Sequence, residues 1–156
     1  MNPPLIDTRR RQLLTAGTAA AASPFMFNIA RAQGAPIRIG FPVPLTGAFS
    51  AEAQDQVRAA EIAVKDFNDA GGYNGRKAEL LVRDDKLNPG EAATRTLELI
   101  EKDKVNFIVG SLSAATQLSI NAVSRDRKII FNSISQSDTI NEAKDWSLYK
   151  IGRAHV

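Results

Sequence analysis

The stretch Val105-Asn106-Phe107-Ile108-Val109-Gly110-Ser111-Leu112-Ser113-Ala114-Ala115-Thr116-Gln117 holds one repeat of the fold. Val105 to Val109 is a short apolar run interrupted only by Asn106, the pattern of a strand buried on both faces. Gly110 closes it, and small hydroxyl residues lead into a helix expected over 114–125. A strand passing through a small polar turn into a helix is the first half of a βαβ crossover.

The same alternation extends in both directions. Ile37-Arg38-Ile39-Gly40-Phe41 reads as a strand and runs into the turn signals Pro42, Pro44 and Gly47. Val57, Ala60, Ile62, Val64 and Phe67 then recur at helical spacing over 51–70, Ile62 least regularly, before Gly71-Gly72 stops the helix. Ala78 to Val82 is a second strand ending at Asp84-Asp85. Asn88 caps a helix with Pro89 at its first position, and Ala93, Leu97 and Ile100 are expected on its packed face. Ile129 to Phe131 is a fourth strand, followed by a short helix around 137–143 and a strand near Leu148. Strands alternating with helices imply right-handed crossovers, hence an α/β fold with a parallel sheet and helices on both faces.

Ligands in such sheets sit outside the carboxyl ends of the strands. The candidate site is therefore the pair of turns Gly110 to Gln117 and Asn132 to Asp138, both rich in Ser. Small hydroxyl residues leave backbone amides open at a helix start, which suits a carboxylate. Each turn alone reads equally as helix capping; two on neighbouring strands can converge on one anion. Asp84 and Asp85 are adjacent on a strand and point to opposite faces, so they are read as loop anchors and not as a carboxylate dyad.

Composition narrows the chemistry. The chain carries 20 Lys and Arg against 17 Asp and Glu. Between Gln33 and Lys150 there are 15 basic and 16 acidic residues, a net charge of −1, so no nucleic-acid partner is expected. There is no Cys, and the one His is His155, near the end. Cys- and His-dependent catalysis is thereby excluded from the body of the chain; no catalytic residue, metal ligand or cofactor is assigned.

The two ends read differently from the body. Arg10-Arg11, Leu13-Leu14 and an Ala-rich run ending in Ala30-Arg31-Ala32 resemble a twin-arginine export signal. Residues 1–32 are expected to be a signal peptide cleaved after Ala32, which places the mature protein in the periplasm. Residues 151–156, Ile151 to Val156, resemble a translated sequencing adapter and are expected to be a non-native tail, leaving 33–150 as the body.

The ordered set of Pro44-Leu45-Thr46-Gly47, Ala59 to Val64, Asn68 to Lys77, Asp84-Asp85, Pro89 with Ala92, and Phe107 to Gly110 resembles the branched-chain amino acid (Leu/Ile/Val-type) ABC transporter substrate-binding proteins. These are of the periplasmic binding protein type I family. The resemblance spans 36–150 and implies a two-lobed fold closing on its ligand, of which this chain holds an incomplete first lobe. It also implies that Ser113, Ala114, Ala115 and Thr116, with Ser133, Ile134 and Ser135, grip the ligand carboxylate, and that Phe49 stands beside it. Where relatives often have an aromatic over the ligand, this chain has Glu52; the turn Asn132 to Ser135 departs from a common Ser-Pro-containing pattern. The implied function is capture of a small amino acid or a related carboxylate or amide, without catalysis. The implied partner is an ABC permease in the inner membrane, with the binding protein a monomer. The alternative is an extracytoplasmic ligand-sensing domain of the same fold, and an exported carboxylate enzyme is a more distant third.

Overall fold

The structure, a computed structural model, describes residues 34–135 and 150–151. The expected helix at 137–143, the start of the strand near Leu148, the export signal and residues 152–156 lie outside the described residues.

Five strands and three helices follow one another: β1 (Ile37–Val43), α1 (Ser50–Asp69), β2 (Ala78–Asp84), α2 (Pro89–Glu101), β3 (Phe107–Gly110), α3 (Ala114–Arg127), β4 (Ile130–Ser133) and β5 (Lys150–Ile151). All pairings are parallel, in the order β2-β1-β3-β4-β5. The strand order reverses at β1, where successive crossovers leave on opposite sides and a crevice opens at the carboxyl ends.

The pleat divides the core in two. Phe41, Val43, Leu80, Val82 and Val109 face α1, meeting Ala53, Val57 and Ala60. Leu81, Ile108 and Phe131 face the other way, against Ala92 and Leu99 of α2 and Ile120 of α3. Helices therefore cover both faces. Gly40 is where α2 comes closest: a Cβ there would lie 2.6 Å from Ile108 Cδ1 and 3.1 Å from Leu99 Cδ1.

Caps explain the helix limits. Asn88 Oδ1 accepts from the amides of Gly90 and Glu91, with Pro89 at the first helical position, as its sequence signature requires. α3 ends on Lys128, which takes the left-handed conformation (φ 56°), while the Ile129 amide reaches back to Ser124 O. That turn consumes Ile129, so β4 starts one residue later than the sequence suggests.

Several expectations are corrected. Ile62 is 61% exposed; it lies off the line through Val57, Ala60 and Val64 and reaches no core. Of the expected α2 stripe of Ala93, Leu97 and Ile100, only Ile100 packs against the core; the buried residues are Ala92, Thr96 and Leu99. α2 packs against both the sheet and α3, and a helix wedged between two partners shows no single apolar stripe. Val105 is buried but precedes β3, its amide bonded to Leu99 O. The strand proper begins after Asn106, whose amide donates to Arg38 O and whose Oδ1 accepts from the Arg38 amide.

Candidate functional site

The carboxyl ends of the strands carry four turns, and hydrogen bonds tie them together. After β1, Leu45 donates its amide to Asp84 Oδ1 at 3.0 Å, and the Thr46 hydroxyl donates to Asp84 Oδ2 at 2.8 Å. After β2, the Asp85 amide donates to Val43 O, and Asp85 Oδ1 accepts from the Leu87 amide at 2.8 Å. Both aspartates hold the turn after β2, where Asp84 Oδ1 also accepts from the Lys86 amide at 2.9 Å, while only Asp84 reaches the turn after β1; neither caps α2, since Asn88 does that.

Their electrostatics differ accordingly. At Asp84 burial works against the charge, but amides of Lys86, Leu45 and Thr46 and the Thr46 hydroxyl outweigh it and hold the carboxyl below its usual 3.8. Asp85 is fully buried, and burial pushes its carboxyl up despite hydrogen bonds from Ser111 and Leu87; the neighbouring Asp84 charge adds to the rise.

A buried relay continues from Asp85. The Ser111 hydroxyl donates to Asp85 Oδ2, Gln117 Nε2 donates to Ser111 O, and the Ser133 hydroxyl donates to Gln117 Oε1. Ser111 and Gln117 are inaccessible and Ser133 nearly so. One side chain, Gln117, therefore sets the spacing between the turns after β3 and β4. Sequence reading singled out both turns but gave Gln117 no role; its long amide follows Thr116 in the first turn of α3, where a bridging group of that reach is the available signal.

Gly110 permits the approach of β3 to β1. Its φ is +139°, and a Cβ would lie 2.5 Å from the Pro42 carbonyl oxygen. No other residue fits there.

Above this network lies a cavity of about 350 Å³. Phe49, Glu52 and Gln56 wall it from the start of α1, Leu87 from the turn after β2, Leu112 and Ser113 from the turn after β3, and Ile134 from the turn after β4. Ser113 is the N-cap of α3, and its side chain makes no capping hydrogen bond. Among the described residues the first amides of α3 have no partner, and they lie beside the cavity with the positive end of the helix dipole behind them. The arrangement can hold a small anionic group at the α3 end and apolar matter against Leu87, Leu112 and Ile134.

Of the residues singled out from sequence, Phe49, Ser113 and Ile134 line this one cavity. Ala114 and Ala115 follow Ser113 in the first turn of α3. Thr116 is buried with its hydroxyl on Ser113 O at 2.9 Å, so that side chain holds the helix start. The Ser133 hydroxyl is turned inward to Gln117, and Ser135 is buried next to Ile134. Gln56 and Leu87 are cavity residues that the sequence reading did not consider; Leu112 lies within the turn it singled out, and Glu52 at the position where it expected relatives to carry an aromatic. Glu52 and Gln56 are four apart at the start of a helix, which puts them on one face. Among the described residues, no group of three or more His, Cys, Asp or Glu is placed to hold a metal ion.

The sequence profile of the periplasmic binding proteins matches residues 36–149. The amino acid binding protein of Pseudomonas aeruginosa is 29% identical over 120 residues, which cover 77% of this chain and 32% of that protein. Leu/Ile/Val-binding protein homolog 1 of Brucella abortus is 27% identical over 120 residues, covering 77% of this chain and 31% of that protein. Among solved structures, the branched-chain amino acid transporter substrate binding protein LivJ of Streptococcus pneumoniae, in complex with isoleucine, superposes with a TM-score of 0.68 at 26% identity. That match covers 75% of this chain and 33% of the other. The chain spans about a third of the length of the relatives it matches.

Proposed function

The chain belongs to the periplasmic binding protein family, and from that premise we propose that it is the first lobe of a receptor that captures a small amino acid or related carboxylate or amide for an ABC importer. The single observation carrying this reading is that Ser113 and Ile134, from two different crossover turns, line one cavity at the carboxyl edge of the sheet. A carboxylate there would accept from the Ser113 hydroxyl and the open amides of Ala114, Ala115 and Thr116. The turn of Ser133, Ile134 and Ser135 closes the opposite side, held in place by Gln117. Phe49 adds an aromatic wall from the start of α1.

Binding is the whole of the chemistry in this reading: the cavity offers a place for charge and a wall of apolar side chains, and no paired acid and base. Residues 1–32 serve as the export signal and 33–150 as the lobe, with 151–156 a foreign tail, although Ile151 stands in β5 opposite Asn132. The receptor works as a monomer in the periplasm and hands its ligand to an inner-membrane permease.

The test uses the full-length protein and a panel of small carboxylates and amides, read by thermal shift and titration calorimetry. A ligand that raises the melting temperature in the wild type, with a loss of affinity of about tenfold or more in Ser113→Ala combined with a bulky Ala115→Leu, supports the reading. A panel without any shift overturns it.

A further inference from the structure

Among the described residues, Glu52 is the one charged residue lining the cavity. It is exposed and takes part in no ion pair or hydrogen bond among the described residues. The same helix face brings Gln56 to the cavity one turn later, and Gln56 Oε1 is buried with no donor. The nearest charges on α1, Asp55 and Arg58, are paired with each other and lie outside the lining. The cavity is therefore bipolar: open amides and the positive helix end at Ser113, a bare carboxylate and an unmet acceptor on α1, apolar walls between.

Resting on the reading that a carboxylate binds at the α3 end, we propose that Glu52 is a specificity-determining residue. It selects ligands whose far end bears an N–H group: an amine, a guanidinium or a primary amide. The α-ammonium of an amino acid sits one carbon from its carboxylate and so stays at the α3 end. The group that crosses the cavity to α1 is the distal end of the side chain. An aliphatic end would leave Glu52 partly desolvated without a partner, which costs free energy. An acidic end would meet a like charge and be rejected. An N–H end gains a charge-assisted hydrogen bond from Glu52 and supplies a donor within reach of the Gln56 amide.

Lysine and norleucine form the decisive pair, since they differ by the distal amine alone; glutamine and glutamate make a second pair, amide against carboxylate. With the full-length protein and calorimetry, lysine is expected to bind about tenfold or more tightly than norleucine, and glutamine more tightly than glutamate, on the scale of one charge-assisted hydrogen bond. Glu52→Gln should reduce lysine affinity about tenfold while moving norleucine by no more than about twofold, and should relax the rejection of glutamate. Because Glu52 is exposed on a helix surface, the variant keeps its fold, which an unchanged melting temperature without ligand checks. Norleucine binding as well as lysine, or Glu52→Gln weakening both alike, overturns the inference and leaves carboxylate capture standing. If none of these four ligands nor any member of the wider panel binds, the capture reading itself fails and this inference falls with it.

Discussion

Gln117 and Ser133 stand 16 residues apart in the chain, and the Ser133 hydroxyl donates a buried hydrogen bond to the Gln117 amide oxygen. The other end of the same amide donates to Ser111 O. Gln117→Leu keeps the volume and removes both ends, leaving a buried carbonyl and a buried hydroxyl unpartnered. Each such group costs about 1–3 kcal/mol. Urea unfolding of the full-length protein should show a loss in that range per group, with weakened ligand binding as the two turns drift. Unchanged stability would mean the amide does not bridge them.

Gly110 and Gly47 both have positive φ, +139° and +90°, yet their substitution should differ sharply. A Cβ at Gly110 meets the Pro42 carbonyl at 2.5 Å, whereas nothing lies within 4 Å of one at Gly47. Gly110→Ala combines backbone strain with overpacking and should cost about 2–4 kcal/mol. Gly47→Ala carries the backbone term alone, about 1 kcal/mol. Melting temperatures of the two variants check the order; equal losses would show that contact with Pro42 is immaterial.

The alternation of strand and helix was legible because each element announces itself locally: Asn88-Pro89 opens α2, Gly71-Gly72 closes α1, and Phe107-Ile108-Val109 is too apolar for an edge. Packing direction was less legible. Ala93 and Leu97 read as the face of α2 because sequence shows apolarity, not which of two partners a helix turns towards, and Thr96 is buried in their place. The site divides in the same way. Ser113 and Ile134, singled out from their position after β3 and β4, line the cavity. Ser133 and Thr116 carry the same hydroxyls but spend them on Gln117 and on Ser113 O. A hydroxyl beside a cavity and one that faces the core are identical in sequence; only the register of the turn separates them.

Asp85 and Asp84 should give opposite pH signatures. The native state raises Asp85 above 3.8, so it binds a proton more readily than the unfolded chain, and stability falls as pH rises through the window above that value. Asp84 is lowered, so its contribution is present above 3.8 and lost as pH falls below it. Stability of the wild type relative to Asp85→Asn should therefore increase as pH is lowered through the window above 3.8 towards that value, measured by urea unfolding. Relative to Asp84→Asn it should hold steady over that range and then decline in stronger acid. Parallel curves for the two variants would contradict the environments described.

Leu99 and Ile62 separate burial from mere apolarity. Both sit on helices, but sequence periodicity marks Ile62 as packed and passes over Leu99. Leu99 is fully buried in the cluster with Ile108 and Ile120, and with Ile108 it fills the space that Gly40 leaves. Ile62 is 61% exposed on the outer side of α1. Leu99→Ala removes buried methyls and leaves a cavity, so it should destabilise by about 2–5 kcal/mol. Ile62→Ala should stay within about 0.5 kcal/mol, as surface substitutions do. Paired unfolding curves measure both at once. A large loss at Ile62 would mean that in the full-length protein another segment covers this side of α1, since the contacts within the described lobe give that side chain nothing to lose.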